Sequence, residues 1–116
     1  MPENEDKIGT VSRAIHANPN DPFAWYTLGV RCYARHCPSE ALECFEKAET
    51  IKKGFSAANR YYLALCQREL GRTRDSLHSL MTAADMNAIN AVDKKARSLA
   101  RRMLDSMEGK KRSDEK

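Results

Sequence analysis

The segments WYTLG at residues 25–29 and ALECFEKA at residues 41–48 decide the fold of this 116-residue chain. Related residues follow each of them at one constant offset of 35 positions, so that Leu28 corresponds to Leu63 and Phe45 to Leu80. An internal period of about 20–50 residues is typical of proteins that stack one supersecondary unit. The sequence therefore predicts two copies of one unit, at about residues 22–55 and 57–89.

The first copy has the spacing W-x2-L-G followed by A-x3-F-x2-A, which resembles the tetratricopeptide repeat, a hairpin of two helices. Small residues such as Gly29 have a mechanical role in this pattern, because two helices can cross closely only where the side chains between them are small. The copy departs from the pattern at Cys32, where tyrosine is expected, and at Lys53, where proline is expected.

Residues that begin and end helices agree with this interpretation. Asp21, Ser56 and Asn90 are suitable N-caps, and Gly54 and Gly71 stand where a left-handed residue would end a helix. The pattern predicts helices at about residues 5–18, 22–36, 38–52, 57–70, 73–87 and 91–108.

Both ends of the chain add one helix to the two hairpins. Residues before Asn20 resemble the second helix of a repeat whose first helix is missing, and Val92, Leu99 and Met103 form one apolar face of a final helix that can cap the stack. We therefore predict an all-α, tetratricopeptide-type α-α superhelix. It comprises an N-terminal half-repeat helix, two hairpins and a C-terminal capping helix in a single domain at residues 1–108, followed by a basic disordered tail at 109–116.

The first helix of each hairpin lines the concave face of a tetratricopeptide array, and here it would form an aromatic and apolar groove. Two interpretations stay open: a terminal helix of the chain occupies the groove, or the groove binds a peptide or a lipid acyl chain. The residues at the groove positions are Phe23, Tyr26, Val30, Tyr33, Ala58, Tyr61, Leu65 and Arg68.

Charge is polarised along the sequence. Residues 1–50 carry five Lys and Arg against eight Asp and Glu, whereas residues 91–116 carry nine against five. Such a basic end attracts acidic protein segments, although a run of charge can equally be a solvated helix face. The candidate partner-binding cations on the last helix are Lys94, Lys95, Arg97, Arg101 and Arg102.

Several classes of function lack support in the sequence. It holds no glycine-rich phosphate loop, nucleophile elbow or zinc-finger spacing, so we expect no catalysis, no cofactor, no metal and no nucleic-acid partner. Cys32, Cys37, Cys44 and Cys66 are expected to be reduced thiols that act as small apolar side chains. Because no apolar stretch approaches the length of a membrane span and the acidic start is unlike a signal peptide, we expect a cytoplasmic chain without a transmembrane segment.

Beyond the generic repeat, the sequence resembles the regulator of microtubule dynamics family. The resemblance covers residues 25–104 and includes both departures from the generic pattern. It rests on Leu28-Gly29-x2-Cys32-Tyr33, on Glu40-Ala41-Leu42-x2-Phe45-x-Lys47-Ala48-Glu49, and on Gly54-Phe55-Ser56-x2-Asn59-x2-Tyr62-Leu63-Ala64-x-Cys66.

This resemblance implies a protein partner associated with microtubules and the mitotic spindle, with some relatives at mitochondrial surfaces and some binding lipid. Tubulin has acidic C-terminal tails, which suit the cations of the last helix. We therefore hypothesise that Lys94, Lys95, Arg97, Arg101 and Arg102 contact those tails.

Overall fold

The computed structural model describes residue 13, residues 15–88 and residues 90–114, with side chains as far as residue 107. Within these residues the chain is helical, without strands, and residues 15–17 are also helical. The rest of the helix predicted at 5–18 lies outside the described residues. The helices with complete bounds are α1 (Pro22–Ala34), α2 (Pro38–Ile51), α3 (Ala57–Glu69), α4 (Thr73–Asp85) and α5 (Ala91–Asp114).

The predicted N-caps are confirmed. Asp21 Oδ1 accepts a hydrogen bond from Phe23 N at 3.0 Å, and Ser56 Oγ accepts one from Asn59 N at 3.3 Å. Asn90 Oδ1 accepts one from the backbone N–H of residue 93 at 2.8 Å. Each of these bonds satisfies one N–H group that has no partner within its own helix. The first helix of each hairpin and the final helix therefore begin at the residues that the sequence indicated.

The ends of the helices are only partly as predicted. Gly71 has φ +80°, and Arg72 N donates to Gln67 O at 2.8 Å, which is the expected left-handed stop. At the corresponding position of the first hairpin, His36 adopts the same conformation with φ +63°. Because His36 occupies the turn, α1 ends at Ala34 and not at residue 36.

The last helix is longer than predicted. It continues to Asp114, whereas the sequence indicated an end near residue 108 and a disordered tail. Between residues 91 and 114 only Gly109 disfavours a helix, and no proline interrupts it. The lysines and arginine at residues 110–112 are good helix formers, and their positive charge is favourable near a helix C-terminus.

Packing follows the repeat. Helix α1 packs against α2 and α3 against α4 as two hairpins, α2 joins the hairpins by packing on α3, and α5 lies against both α3 and α4. In the first hairpin a Cβ atom added to Gly29 would lie 2.6 Å from Phe45 Cε1, so this crossing requires glycine. The all-α tetratricopeptide-type fold predicted from the period is confirmed.

Candidate interaction surfaces

A groove with a volume of about 460 Å³ runs between the first helices of the two hairpins and the last helix. Five of the residues predicted for the concave face line it together: Tyr26, Tyr33, Ala58, Tyr61 and Leu65. On the other side it is lined by Val92, Lys95 and Leu99 of α5. Helix α5 thus forms one wall of the groove and leaves space beside it.

Three predicted groove residues lie elsewhere. Phe23 borders an adjoining cavity and is 53% exposed, with its ring 5.1 Å from that of Phe55 in an edge-to-face contact. Val30 packs against the core of the first hairpin. Arg68 is exposed and its Nη1 lies 3.8 Å from Met103 Sδ, so it covers the outer end of the contact between α3 and α5.

Tyr62 was not predicted for the groove, yet it connects the groove to the core. Its ring stacks on Phe45 with centroids 5.7 Å apart and an interplanar angle of 19°. It also makes edge contacts with Tyr26 and Tyr33. In the repeat Tyr62 corresponds to the exposed Thr27, so periodicity carried no signal for this role.

Burial favours the neutral form of two groove tyrosines, Tyr26 and Tyr33. Burial raises the pKa of Tyr26 to about 12, with further contributions from Tyr62 and the Asp93 carboxylate. Burial also raises the pKa of Tyr33, helped by Glu69, whose Oε1 lies 3.4 Å from the Tyr33 hydroxyl oxygen. The described residues offer no hydrogen-bond partner to the hydroxyls of Tyr26 and Tyr61. These hydroxyls can therefore donate to a ligand in the groove.

The predicted cations of α5 form a surface without internal neutralisation. Lys94, Lys95, Arg101 and Arg102 are exposed and Arg97 is half-buried. No carboxylate among the described side chains lies within 4.0 Å of any of the five cations, whereas Arg60 and Glu49 pair at 3.0 Å elsewhere in the fold. This arrangement leaves their charge available to a partner.

Helical spacing divides these cations into two rows. Lys94, Arg97 and Arg101 follow one another at steps of three and four and share one face, whereas Lys95 and Arg102 lie seven residues apart on another. Lys95 also lines the groove. It is therefore the residue at which the basic surface and the aromatic groove meet.

Asp93 has a structural role that the sequence analysis did not assign. It stands three residues after the cap Asn90, but its side chain forms hydrogen bonds with another helix. Asp93 Oδ1 accepts hydrogen bonds from Ser56 Oγ at 2.9 Å and Ala58 N at 3.2 Å, so it ties α5 to the start of α3. It is 2% exposed and is the only charged side chain among the buried residues that the structure describes.

Three of the four cysteines belong to the core, and Cys37 is half-buried against it. Cys32, Cys44 and Cys66 are buried free thiols, and burial raises the pKa of Cys44 and of Cys66 to about 12. A thiol with so high a pKa is a poor nucleophile near neutral pH because little thiolate is present. Their predicted role as small apolar side chains is confirmed by this burial. No cluster of metal-ligating side chains occurs in the described part of the chain.

A separate finding concerns membranes. None of the helices in the described ranges combines the length and the hydropathy that a membrane span requires.

Known proteins with similar sequences include regulators of microtubule dynamics and peroxisomal targeting signal receptors. The family model described as regulator of microtubule dynamics protein 1-3 matches residues 35–108. Regulator of microtubule dynamics protein 3 of Xenopus laevis is 30% identical over 114 residues, which cover 81% of this chain and 25% of that protein. The peroxisomal targeting signal receptor of Kluyveromyces lactis is 32% identical over 79 residues, covering 68% of this chain and 14% of the receptor.

Among solved structures, the type III secretion translocator chaperone SycD of Yersinia enterocolitica superposes with a TM-score of 0.82. The match covers 95% of this chain and 75% of that chain at 16% sequence identity. At this identity the likeness shows the fold alone. The chain spans about a quarter of the length of the microtubule-dynamics relative from Xenopus laevis.

Proposed function

Because this chain belongs to the regulator of microtubule dynamics family, we propose that it is a non-catalytic protein-interaction module that binds acidic segments of microtubule- or spindle-associated partners. The acidic C-terminal tails of tubulin are the segments we consider first, and the proposal places the chain in the cytoplasm, at the cytoskeleton or the spindle. The observation that carries the proposal is the set of five α5 cations that have no carboxylate partner among the described side chains.

Physical chemistry favours this surface for an acidic and flexible partner. Cations on the solvent side of a helix lose little hydration when a mobile acidic segment approaches, and their combined field raises the association rate. Such an interaction weakens as salt increases, because exposed charges are screened over about 8 Å at physiological ionic strength. Binding that depends on salt is therefore a property that the proposal requires.

Microtubule co-sedimentation tests the proposal. One variant reverses three exposed cations of α5, Lys94→Glu, Arg101→Glu and Arg102→Glu. Its matched control reverses three exposed cations outside α5, Arg31→Glu, Arg35→Glu and Lys52→Glu, and has the same net charge. We expect the α5 variant to lose most binding at low salt and the control to keep most of it. Equal binding by the two variants, with both folded by circular dichroism, would overturn the proposal.

A second comparison isolates the partner's charge. Removal of the tubulin tails by limited proteolysis should reduce binding of the unmodified chain to the level of the α5 variant. If the chain binds tailless microtubules as tightly as intact ones, the acidic tails are not its target.

A second candidate function is an adaptor whose groove binds a peptide or a lipid acyl chain, at the mitochondrial surface among other places. The aromatic groove of about 460 Å³ favours it. This alternative predicts that Tyr26→Ala with Tyr61→Ala abolishes binding while charge reversal on α5 has little effect. Leu99→Trp would fill the groove from its α5 wall and should act in the same direction.

A further inference from the structure

A smaller cavity of about 220 Å³ continues from one end of the groove. It shares Tyr26, Ala58 and Val92 with the groove and is also bordered by Phe23 and Asp93. Phe23 is 53% and Val92 58% exposed, so two apolar side chains of the lining are open to solvent. The side chain of Asp93, by contrast, is buried.

This carboxylate is only half satisfied by the protein. Its Oδ1 receives the hydrogen bonds from Ser56 and Ala58, whereas the described residues supply neither a hydrogen bond nor a cation within 4.0 Å to Oδ2. Oδ2 is not among the buried polar atoms that lack a partner, so the cavity leaves it open to water. A buried charge is normally paired, since leaving water costs free energy that only a counter-ion or further hydrogen bonds return. The starts of α3 and α5 stabilise negative charge here but supply no donor to Oδ2.

We propose that the Phe23–Asp93 cavity binds a lysine or arginine side chain of a partner protein segment that lies in the groove. The ammonium or guanidinium group would pair with Asp93, and the aliphatic stem would pass between Phe23, Tyr26 and Val92. The π faces of aromatic rings attract cations, and apolar walls pack against methylene groups. The lining therefore suits both the charged group and the aliphatic stem of a basic side chain.

We favour a protein segment as the source of the cation because the cavity is continuous with the groove. A free amine would need only the small cavity, but a side chain requires a backbone that continues past it. The shared residues Tyr26, Ala58 and Val92 provide that path, and Lys95 lies further along it. A segment with a basic residue at the Asp93 end and an acidic residue near Lys95 would match both charges. The Asp93 end of this site uses none of the five cations proposed for tubulin tails, and only Lys95 is common to both proposals. Peptides that carry no acidic residue probe the Asp93 end alone, so either proposal can fail alone.

The test uses a matched pair of acetylated and amidated alanine pentapeptides, one with lysine and one with norleucine at the centre. They differ only in the ammonium group. Titrations are followed by backbone amide chemical shifts in NMR spectra, with binding in about the millimolar range expected for so small a ligand. The lysine peptide should shift the amides of Ala58, Val92 and Asp93 and bind about tenfold more tightly than the norleucine peptide. Equal affinities for the two peptides would overturn the proposal.

Asp93→Asn removes the charge while keeping an oxygen that can accept from Ser56 and Ala58. If the variant shows a cooperative thermal unfolding transition and is therefore folded, it should bind the lysine peptide about tenfold more weakly. Unchanged affinity would refute the role of the carboxylate. Should Asp93→Asn fail to fold, Phe23→Leu decides instead, because it keeps an apolar wall and removes the ring. We expect Phe23→Leu to weaken binding of the lysine peptide several-fold and binding of the norleucine peptide less. Equal losses of affinity for the two peptides would overturn the proposal.

Discussion

The two helix hairpins meet the same packing requirement with different pairs of side chains. In the first, Gly29 leaves room for the large ring of Phe45, and in the second Ala64 packs with the smaller Leu80. Side-chain volume at the two positions is therefore compensated. The hairpin with the larger residue on its second helix has the smaller residue on its first helix. The repeat therefore preserves the summed volume at the crossing and not the residues themselves.

Truncation of the large partner would break the first pair most severely. Phe45 is 0% exposed, and Phe45→Ala should lower the free energy of unfolding by about 3–5 kcal/mol. Leu80→Ala, at the corresponding position of the second hairpin, should cost about 2–4 kcal/mol, because a smaller side chain leaves a smaller cavity. Urea unfolding followed by circular dichroism measures both. A larger loss for Leu80→Ala would contradict the expectation that the larger side chain leaves the larger cavity.

Enlarging the small partner tests the compensation of volume directly. Gly29→Ala should cost about 1–2 kcal/mol, since the clash with Phe45 outweighs alanine's higher helix propensity. Adding Phe45→Leu gives the first hairpin the alanine and leucine of the second. The double variant should be more stable than the sum of the two single effects by about 1 kcal/mol. Strictly additive effects in a double-mutant cycle would show that the two positions do not compensate.

The hairpins can also be compared at their helix starts. In both, the first helix has a side-chain cap, Asp21 or Ser56, and the second helix, after Cys37 or Arg72, has none. Ser56→Ala should cost about 1–2 kcal/mol because it removes a cap and a hydrogen bond to Asp93. Thermal unfolding measures the loss, and Ser39→Ala, at an exposed position, serves as its control. A loss no larger than that of the control would refute the capping role.

The smallest expected effects concern the turns inside the hairpins. Gly71→Ala should cost about 1 kcal/mol, because alanine is strained at φ +80° although its Cβ would touch nothing. His36→Gly should instead stabilise the chain by about 0.5 kcal/mol, the relief of strain being partly offset by the entropy of glycine in the unfolded state. The two variants should thus shift the melting temperature in opposite directions. Melting temperatures that shift in the same direction would mean that His36 or Gly71 does not adopt the left-handed conformation in solution.

Much of the fold could be predicted because its signals are local or periodic. The caps at Asp21, Ser56 and Asn90 act within three residues, and the 35-residue offset reports a unit that repeats its own packing. His36 escaped prediction because a left-handed histidine has no pattern of its own, although the offset from Gly71 points to it in retrospect. The helical end of α5 was missed because a run of charge resembles a disordered tail and is also compatible with a helix.

The candidate sites were less predictable. Tyr26, Tyr33, Tyr61 and Leu65 were placed in a groove by the repeat, and the structure brings them together there. Neither Tyr62 nor the contribution of Lys95 and Leu99 could be derived in this way. The role of Tyr62 depends on its contacts with Tyr26, Tyr33 and Phe45 of the other hairpin. The roles of Lys95 and Leu99 depend on how α5 lies against α3 and α4, and no repeat pattern encodes either arrangement.

By itself, the sequence determined that this chain is a stack of helix hairpins with a basic final helix, because helix periodicity, caps and small crossing residues act over short distances. Only the tertiary structure decided that this final helix forms a wall of the groove and that Asp93 crosses to Ser56 and Ala58. The docking of a helix is the sum of many weak contacts between non-local residues, and it leaves no periodic trace in the sequence. The groove and the Phe23–Asp93 cavity are consequences of that docking.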